Sequence, residues 1–299
     1  MFESVFTDPR FFQIGDAESE QVFVSQTNSN GELAASMRCA IVEDRIVSGF
    51  MAPFGGADII GVDQPVSVLS ELVTATIDCA RQRGARSLVV KARPASHGAG
   101  AAHMQFALLS GGFVPTNADL NYAIQLHGID FQSYLRRLKS PARRAYKNAI
   151  RDGFIFDSLV HRSHIPDCWS IIKRNRKARG RKMSLTLEYV NQLYKVIPDK
   201  THIYAVRYDN HICACAFIYT ITPTVWYVQY WGDDPTAEVP RSPMNLLVAG
   251  IVNEALRLNV RVIDVGASNE GLSANQGLIQ FKKSVGAEPE LRWVLTKAL

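Results

Sequence analysis

One acidic and one basic side chain near the end of the sequence are of types that take part in catalysis. Asp264 ends a short apolar segment, which predicts a buried strand with Asp264 at the carboxyl edge of a sheet, where ligand sites of α/β proteins cluster. Its carboxylate could orient an amine or accept a proton there, or it could cap a helix or anchor a loop. Lys282 follows on a predicted helix, where its cation could stabilise a developing negative charge or be a solvated lysine beside Lys283.

A repeated pair of residues singles out this lysine. A Gln-Phe pair whose glutamine lies six residues before a glycine occurs twice, at Gln105 and at Gln280. The position after the pair is Ala107 in the first copy and Lys282 in the second. A phenylalanine that both copies share predicts core packing, whereas a lysine present in only one copy predicts a role other than packing.

Two segments of the chain are densely basic. The stretches 136–151 and 173–182 each contain seven Lys or Arg residues, although the whole chain carries a formal net charge of only +5. We expect these segments either to bind an anionic partner or to form solvated helix faces. Four side chains of the first segment share one predicted helix and could contact phosphates: Arg143, Arg144, Lys147 and Arg151.

Several classes of function lack their usual signals in this sequence. There is no HExxH, CxxC, GxSxG or phosphate-binding GxxxxGK[ST] motif, so we predict neither a metal site nor a covalent nucleophile. The five cysteines are odd in number and lack paired spacing, which predicts free thiols in a reducing cytoplasm. The apolar runs are shorter than the ~20 residues that a bilayer span needs, and residues 1–10 lack the pattern of a secretory signal.

The pattern of apolar residues and capping signals predicts the same kind of α/β unit twice. The second half reads β-α-α-β-β-β-α-β-α-β, which is the element order of the Gcn5-related acetyltransferase (GNAT) fold, and the first half repeats the last part of that order. Helix starts are predicted at Ser140, Ser242 and Ser273, and Thr186 is predicted to cap a helix over 187–196. Strands are predicted over 87–91 and 154–160, among others. We therefore predict an α/β (α+β) fold of two tandem GNAT-like units, residues 1–128 and 129–299, each a mixed, mostly antiparallel sheet flanked by helices.

Three segments resemble FemAB-like N-acyltransferases. They are the basic helix SPARRAYKNAIRDG at 140–153, the closing segment DVGASNEGLSANQGLIQFKKSVG at 264–286, and the turn APFGG at 52–56. With the repeated element order, the resemblance covers nearly the whole chain, and Phe281-Lys282 is its most specific part. It implies that Lys282 lies near the reacting centre and that Phe281, Tyr230 and Trp231 line the cleft.

The activity that this resemblance implies is acyl transfer. FemAB-like proteins include aminoacyl-tRNA-dependent transferases that build peptidoglycan cross-bridges, and acetyltransferase-like relatives of unknown acceptor. An acyl or aminoacyl group would pass from acyl-CoA or aminoacyl-tRNA, with no tightly bound cofactor, to an amine by direct attack. The acceptor would be an amine-bearing small molecule or a peptidoglycan-type precursor, and tRNA would be a partner for one of the two donors.

The sequence departs from the family pattern in two places. The stretch 173–200 is too short for the long helical hairpin arm of the cross-bridge enzymes. The stretch 238–244 contains no glycine, so the usual acetyl-CoA signature is absent, although the helix start at Ser242 could still hold an anion with the help of Arg241. Three loop amides could line the same site or be solvated: Asn269, Asn275 and Gln276.

A different class of function stays open. Because one fold hosts many functions, the chain could be a non-catalytic GNAT-fold module that binds RNA or an anionic ligand through its basic helices. Salt-sensitive RNA binding without transfer from any donor would distinguish this alternative from an acyltransferase.

Overall fold

The computed structural model of the chain describes residues 4–15, 20–61, 64–158 and 160–299. The elements up to residue 125 are, in chain order, α1 (Pro9–Gly15), β1 (Gln21–Thr27), β2 (Leu33–Val42), β3 (Arg45–Ser48), β4 (Ala57–Ile59), α2 (Val66–Gln82), β5 (Ser87–Lys91), α3 (Ala99–Ser110) and β6 (Val114–Gln125).

The remaining elements form the second part of the chain. They are α4 (Phe131–Arg137), α5 (Ser140–Arg151), β7 (Ile155–Asp157), α6 (Ile165–Ala178), α7 (Leu187–Val196), β8 (Thr201–Tyr208), β9 (His211–Thr222), β10 (Val225–Asp233), α8 (Met244–Arg257), β11 (Val262–Ala267), β12 (Asn269–Glu270), β13 (Ser273–Ala274), α9 (Gln276–Ser284) and β14 (Glu288–Ala298).

These elements divide into two compact units. Unit 1 contains Met1–Asn121, Asn269–Ala274 and Pro289–Leu299, and unit 2 contains Tyr122–Ser268 and Asn275–Glu288. Unit 1 thus takes up the β12–β13 hairpin and most of β14 from the end of the chain. The boundary between residues 128 and 129, as a boundary between duplicated sequences, stays a prediction.

Unit 1 has a mixed sheet covered by α2 and α3. Its strands run in the order β1-β2-β3-β5-β14, with β4 paired to β2. All of these pairs are antiparallel except β3 with β5, which is parallel. The apolar side of α2, with Leu69, Leu72 and Val73, packs with Leu88 and Val90 of β5 in one buried cluster.

The APFGG segment is a tight turn beside this sheet. The Gly56 N–H donates to the Ser48 hydroxyl at 2.7 Å, and the Gly55 N–H donates to the Lys91 carbonyl at 2.8 Å. In return, the Lys91 ammonium donates to the Ala52 carbonyl at 3.2 Å. The turn is therefore bound to the sheet by both backbone and side-chain hydrogen bonds.

The sheet strands of unit 2 run in the order β11-β10-β9-β8-β7 and are also of mixed direction. Strands β7 to β10 pair antiparallel, and β10 pairs parallel with β11. Helix α6 packs on β9 and β10, and α8 packs on β8, β9 and β10. Both units therefore confirm the predicted fold class, a mixed and mostly antiparallel sheet flanked by helices.

Some predicted element boundaries were wrong for local reasons. Ser273 does not begin a helix, because Ser273–Ala274 pairs with Asn269–Glu270 as a hairpin and the helix starts at Gln276. Ser140 is already helical, and Lys139 is the N-cap. Pro243, not Ser242, is the N-cap of α8. The strand predicted over 154–160 spans only Ile155–Asp157, and residue 159 lies outside the described part of the chain.

The cysteines are all free thiols. Cys39, Cys168, Cys213 and Cys215 are buried, and Cys79 is half-buried. Burial raises the pKa of the Cys39 thiol to about 12, which leaves it protonated and unreactive near neutral pH. Among the described residues, no helix is both long enough and apolar enough to cross a membrane.

Folding stability should depend on pH through His202. Its ring packs beside the rings of Tyr204 and Trp226, its Nε2 is 2.8 Å from the Thr220 hydroxyl, and burial lowers its pKa. The unfolded chain therefore binds a proton more readily than the folded chain. The stability contribution is present above the ordinary histidine pKa of about 6.5 and is lost as pH falls through that value towards the folded pKa.

We expect the urea-derived free energy of unfolding to be lower at pH 5.5 than at pH 7.5, and the difference to shrink in His202→Gln. An equal pH difference in the wild type and in His202→Gln would assign the dependence to other groups.

Candidate functional site

The site begins where strands β10 and β11 part from each other. They pair only from Val225 with Val262 to Tyr227 with Asp264. Beyond Tyr227, β10 continues along β9, with a register shift between Val228 and Tyr230 that leaves Gln229 as an extra residue. Such a bulge bends a strand and re-aims its side chains. The divergence opens a wedge at the carboxyl ends of two parallel strands, which is where we expect a ligand site.

A cavity of about 450 Å³ occupies this part of unit 2. Its walls come from α6, β10, the first turn of α8, the end of β11 and α9. The lining includes four aromatic side chains, Tyr227, Tyr230, Trp231 and Phe281, and four cationic ones, Arg176, Arg179, Arg181 and Lys282. Such a mixture suits a ligand with an apolar part and an anionic part.

Lys282 places a buried ammonium in the wall of this cavity. Its side chain is only 1% exposed, although it lies on a short helix near the surface. The ammonium donates to the carbonyl of Gly266 at 2.7 Å and to that of Ala267 at 2.9 Å, and it lies 5.7 Å from the centre of the Tyr122 ring. Because buried charges need partners, these carbonyls and the ring explain how the cation is tolerated. Lys282 is therefore not the solvated helix lysine that its neighbour Lys283 is.

Asp264 lies behind the wall of the cavity and stabilises the backbone turn that forms part of it. Its side chain is fully buried, and its Oδ1 accepts the Gly266 N–H at 2.8 Å. Gly266 has a φ of +76°, in the left-handed region that favours glycine. The carboxylate thus stabilises the turn that presents the Gly266 and Ala267 carbonyls to Lys282. Asp264 is not among the residues that line the cavity.

Helix α9, which carries Lys282, is fixed at its start by Asn275. The Asn275 side chain accepts the Leu278 N–H at 2.9 Å as the N-cap. Replacing Asn275 with alanine should lower the free energy of unfolding by about 1 kcal/mol, because the Leu278 N–H loses this acceptor. Chemical denaturation measures the effect, with the exposed helix residue Asn191 changed to alanine as the control. An unchanged unfolding midpoint in Asn275→Ala would contradict the capping role.

Five of the predicted binding residues line the cavity. Phe281 and Trp231 meet edge to face, with ring centres 5.7 Å apart. The Tyr230 hydroxyl is 2.6 Å from that of Ser184, and the Ser242 hydroxyl donates to Asp233 at 2.7 Å. The lining residues among those predicted are Phe281, Tyr230, Trp231, Ser242 and Asn275. Their part in binding stays a prediction.

The other predicted binding residues lie elsewhere. Arg241 forms an ion pair with Asp152. Asn269 belongs to unit 1, where its side-chain oxygen accepts the Leu120 N–H at 2.8 Å. Gln276 is exposed at the first position of α9. The four basic residues of α5, Arg143, Arg144, Lys147 and Arg151, are half-buried to exposed and do not line the cavity.

The alignment of Lys282 with Ala107 was wrong by one residue. Helices α3 and α9 end in equivalent hydrogen bonds. After α3 the Phe113 N–H donates to the Leu108 carbonyl, and after α9 the Ala287 N–H donates to the Lys282 carbonyl. In each case the residue before the donor is a glycine with positive φ, namely Gly112 before Phe113 and Gly286 before Ala287. Lys282 therefore corresponds to Leu108. The shared phenylalanine is not a core residue either, since Phe106 is 60% exposed and Phe281 lines the cavity.

Sequence reasoning missed part of the cavity lining. Arg176, Arg179 and Arg181 belong to the second basic segment, whose density was the one available signal. Gln229 and Asn245 also line the cavity, and nothing in their sequence context indicated it. No cysteine or histidine is among the described lining residues, and the described part of the chain has no cluster of three or more metal-ligating side chains.

The chain is similar in fold to several solved structures. The crystal structure of FemX superposes with a TM-score of 0.76 at 11% identity, over 97% of this chain and 91% of FemX. The C-terminal domain of a putative lysylphosphatidylglycerol synthetase from Agrobacterium fabrum gives 0.60 at 17% identity, over 99% and 88%. A tandem GNAT protein from the clavulanic acid biosynthesis pathway gives 0.50 at 13% identity, over 93% and 83%.

Sequence comparison adds no relative. No family model and no curated protein sequence matches this chain. At the identities found, the structural likeness shows the fold alone. The chain has the fold of FemX and of tandem GNAT proteins, which confirms the resemblance that its sequence segments predicted.

Proposed function

We propose that this protein is an acyltransferase that moves an acyl or aminoacyl group from an activated donor to an amine, in the cavity of unit 2. The donor is acyl-CoA or aminoacyl-tRNA, and the acceptor is an amine-bearing small molecule or a peptidoglycan-type precursor. The observation that carries the proposal is the buried Lys282 ammonium in the wall of a cavity opened by the parting of β10 and β11.

The reaction is a direct attack on the donor. The amine nitrogen forms a bond to the acyl carbonyl carbon, and the carbonyl oxygen takes on negative charge in the tetrahedral intermediate. The bond from carbon to the thiol sulfur or ribose oxygen then breaks, and the proton that the amine nitrogen loses ends on the departing thiol or ribose hydroxyl. Direct attack needs no covalent step on the protein, because holding the donor and the amine together in one cavity is enough to make their reaction effectively unimolecular.

Lys282 stabilises the negative charge that develops in this reaction. Its charge is fixed by the Gly266 and Ala267 carbonyls before substrate arrives, so no reorganisation is needed when the oxyanion forms. In a water-poor site such a charge interacts more strongly than it would in solvent. Asp264 acts as a positioning residue, since its bond to the Gly266 N–H holds the turn that carries both carbonyls.

The arginines of the lining provide the anionic end of the donor with partners. Arg176 lies over the Tyr230 ring, with its guanidinium carbon 5.0 Å from the ring centre, and Arg179 is 3.8 Å from Asp233. Guanidinium groups suit phosphate because they donate in a planar fork. Both proposed donors carry phosphates, so this end of the cavity fits either.

A transfer assay with two labelled donors tests the proposal. The purified protein is incubated with a mixture of amines and with either labelled acetyl-CoA or labelled aminoacyl-tRNA, and alkali-stable amide-linked label is counted. We expect amide-linked label from one of the donors. Failure of both donors, with protein that unfolds cooperatively, would contradict an acyltransferase function.

A second candidate function rests on the α5 surface. Arg144, Lys147 and Arg151 are exposed on this helix and do not line the cavity, so they could bind an anionic polymer without any chemistry. On this alternative the chain is a non-catalytic module that binds RNA or an anionic ligand. Binding that weakens steeply with salt, is lost on charge reversal in α5 and is accompanied by no transfer would favour it.

A further inference from the structure

Two amide side chains in the cavity wall hold oxygen atoms that have no hydrogen-bond partner among the described residues. Gln229 Oε1 and Asn245 Oδ1 are buried and make no hydrogen bond to any described residue. Gln229 is the bulge residue of β10, and Asn245 is in the first turn of α8, so two separate elements bring them to the same cavity.

Such oxygens are uncommon in folded proteins. Nearly all buried polar groups have a hydrogen-bond partner, because a buried acceptor without one loses its hydrogen bonds to water and gains none in the protein. Ser268 Oγ and His103 Nδ1 share this lack of a partner among the described residues, but neither residue lines the cavity. Gln229 and Asn245 differ from these two because their side chains line a space that a ligand can enter, and rotation of each terminal amide turns its closed oxygen towards that space.

We propose that Gln229 and Asn245 form an acceptor pair that binds an N–H group of the substrate. This rests on the proposed function and names a chemical feature of what the site takes. An amine or ammonium supplies two or three N–H donors, which two amide oxygens can accept. Two substrates of the proposed reaction can bring this group, namely an aminoacyl donor through its own amine and the acceptor through its attacking amine.

Two matched pairs of non-transferable ligands test the donor source. One pair is S-(2-aminoethyl)-coenzyme A and S-ethyl-coenzyme A. The other is 3′-glycylamino-3′-deoxyadenosine and its 3′-acetylamino counterpart. Each pair differs by one amine on the acyl mimic. Calorimetric titration of the wild type should give about tenfold tighter binding of the amine-bearing member, which is the size of a good hydrogen bond.

Three variants assign that preference to the pair. Gln229→Leu and Asn245→Leu should abolish it, while their thermal midpoints stay equal to the wild type or rise, because an unpartnered acceptor has been replaced by an apolar group. Asn245→Asp keeps the acceptors and adds a negative charge, so it should retain or increase the preference. Gln192→Leu, an exposed amide on α7 outside the cavity, is the matched control and should change neither quantity.

The outcomes identify which substrate brings the N–H group, and they distinguish failure of the acceptor pair from failure of the proposed function. If neither pair shows a preference but both leucine variants raise the KM for the acceptor amine about tenfold, the acceptor is the source of the N–H group. Ligand binding without preference and with unchanged acceptor KM in the leucine variants overturns the acceptor pair alone. Loss of the preference in Asn245→Asp also overturns it. Absence of binding to all four ligands together with absence of transfer overturns the proposed function, and the acceptor pair with it.

Discussion

Replacing Lys282 with methionine should lower kcat/KM of the transfer reaction by about 100-fold or more. Methionine has nearly the length of lysine but no charge, so the variant removes the cation that we propose stabilises the oxyanion. Removing one preorganised stabiliser of an oxyanion costs on the order of 10²–10³ in turnover. Steady-state kinetics measures this, and kcat should fall more than KM rises, because the interaction is strongest in the transition state.

The structural role of Lys282 needs its own measurement. Its ammonium is also the hydrogen-bond partner of the Gly266 and Ala267 carbonyls, so Lys282→Met should lose some stability as well. Denaturation of each variant separates the two effects, and Lys283→Met, at an exposed site on the same helix, is the control. Turnover that is unchanged in Lys282→Met would remove Lys282 from the chemistry.

Replacing Gly55 with alanine should cause a large loss of stability in unit 1. A Cβ atom at this position would overlap the backbone nitrogen of Gly49 and would lie 2.7 Å from its Cα. These are backbone atoms of a turn held to the sheet through Lys91, so they cannot move aside as a flexible side chain would. We expect a loss of about 3 kcal/mol in the free energy of unfolding, at the upper end of the usual cost of overpacking.

A glycine with free space around it provides the matched control. At Gly277 the nearest atom to an added Cβ is Asn275 Oδ1 at 3.8 Å, so Gly277→Ala should be neutral or slightly stabilising in helix α9. Urea denaturation of both variants gives the comparison. A Gly55→Ala variant that is as stable as Gly277→Ala would show that the turn can rearrange without cost.

Elements that depend on local signals could be predicted from the sequence. Helix α7 has the predicted bounds, because Thr186 caps it and accepts the Tyr189 N–H at 3.1 Å, a contact within four residues of chain. Strand β5 also has its predicted bounds, since its apolar alternation is local. Ser273 has an equally good local capping signal, yet its backbone pairs with Glu270 in the β12–β13 hairpin. Local signals therefore fail where a more distant pairing competes for the same residues.

The candidate site was predictable only in part for the same reason. Lys282 and its neighbours in the closing segment carry a recognisable motif, and the structure puts that lysine in the cavity wall. Gln229 reaches the cavity through a bulge that is set by the register of β10 on β9, which no local sequence pattern encodes. The charge of Arg176 indicated an anionic partner, but its position beside Tyr230 depends on the packing of α6 against β10.

One titration tests most directly whether the donor binds in the unit 2 cavity, on which the proposed function depends. Calorimetry with acetyl-CoA and with aminoacyl-tRNA is carried out on the wild type, on Gly277→Trp, which should fill the cavity from its open α9 wall, and on an α5 charge-reversal variant, Arg144→Glu/Lys147→Glu. We predict that one donor binds the wild type, that Gly277→Trp loses this binding, and that the α5 variant still binds acetyl-CoA if that is the donor, or aminoacyl-tRNA with only a moderate loss. Full binding to Gly277→Trp and none to the α5 variant would contradict the account and make the chain a surface-binding module.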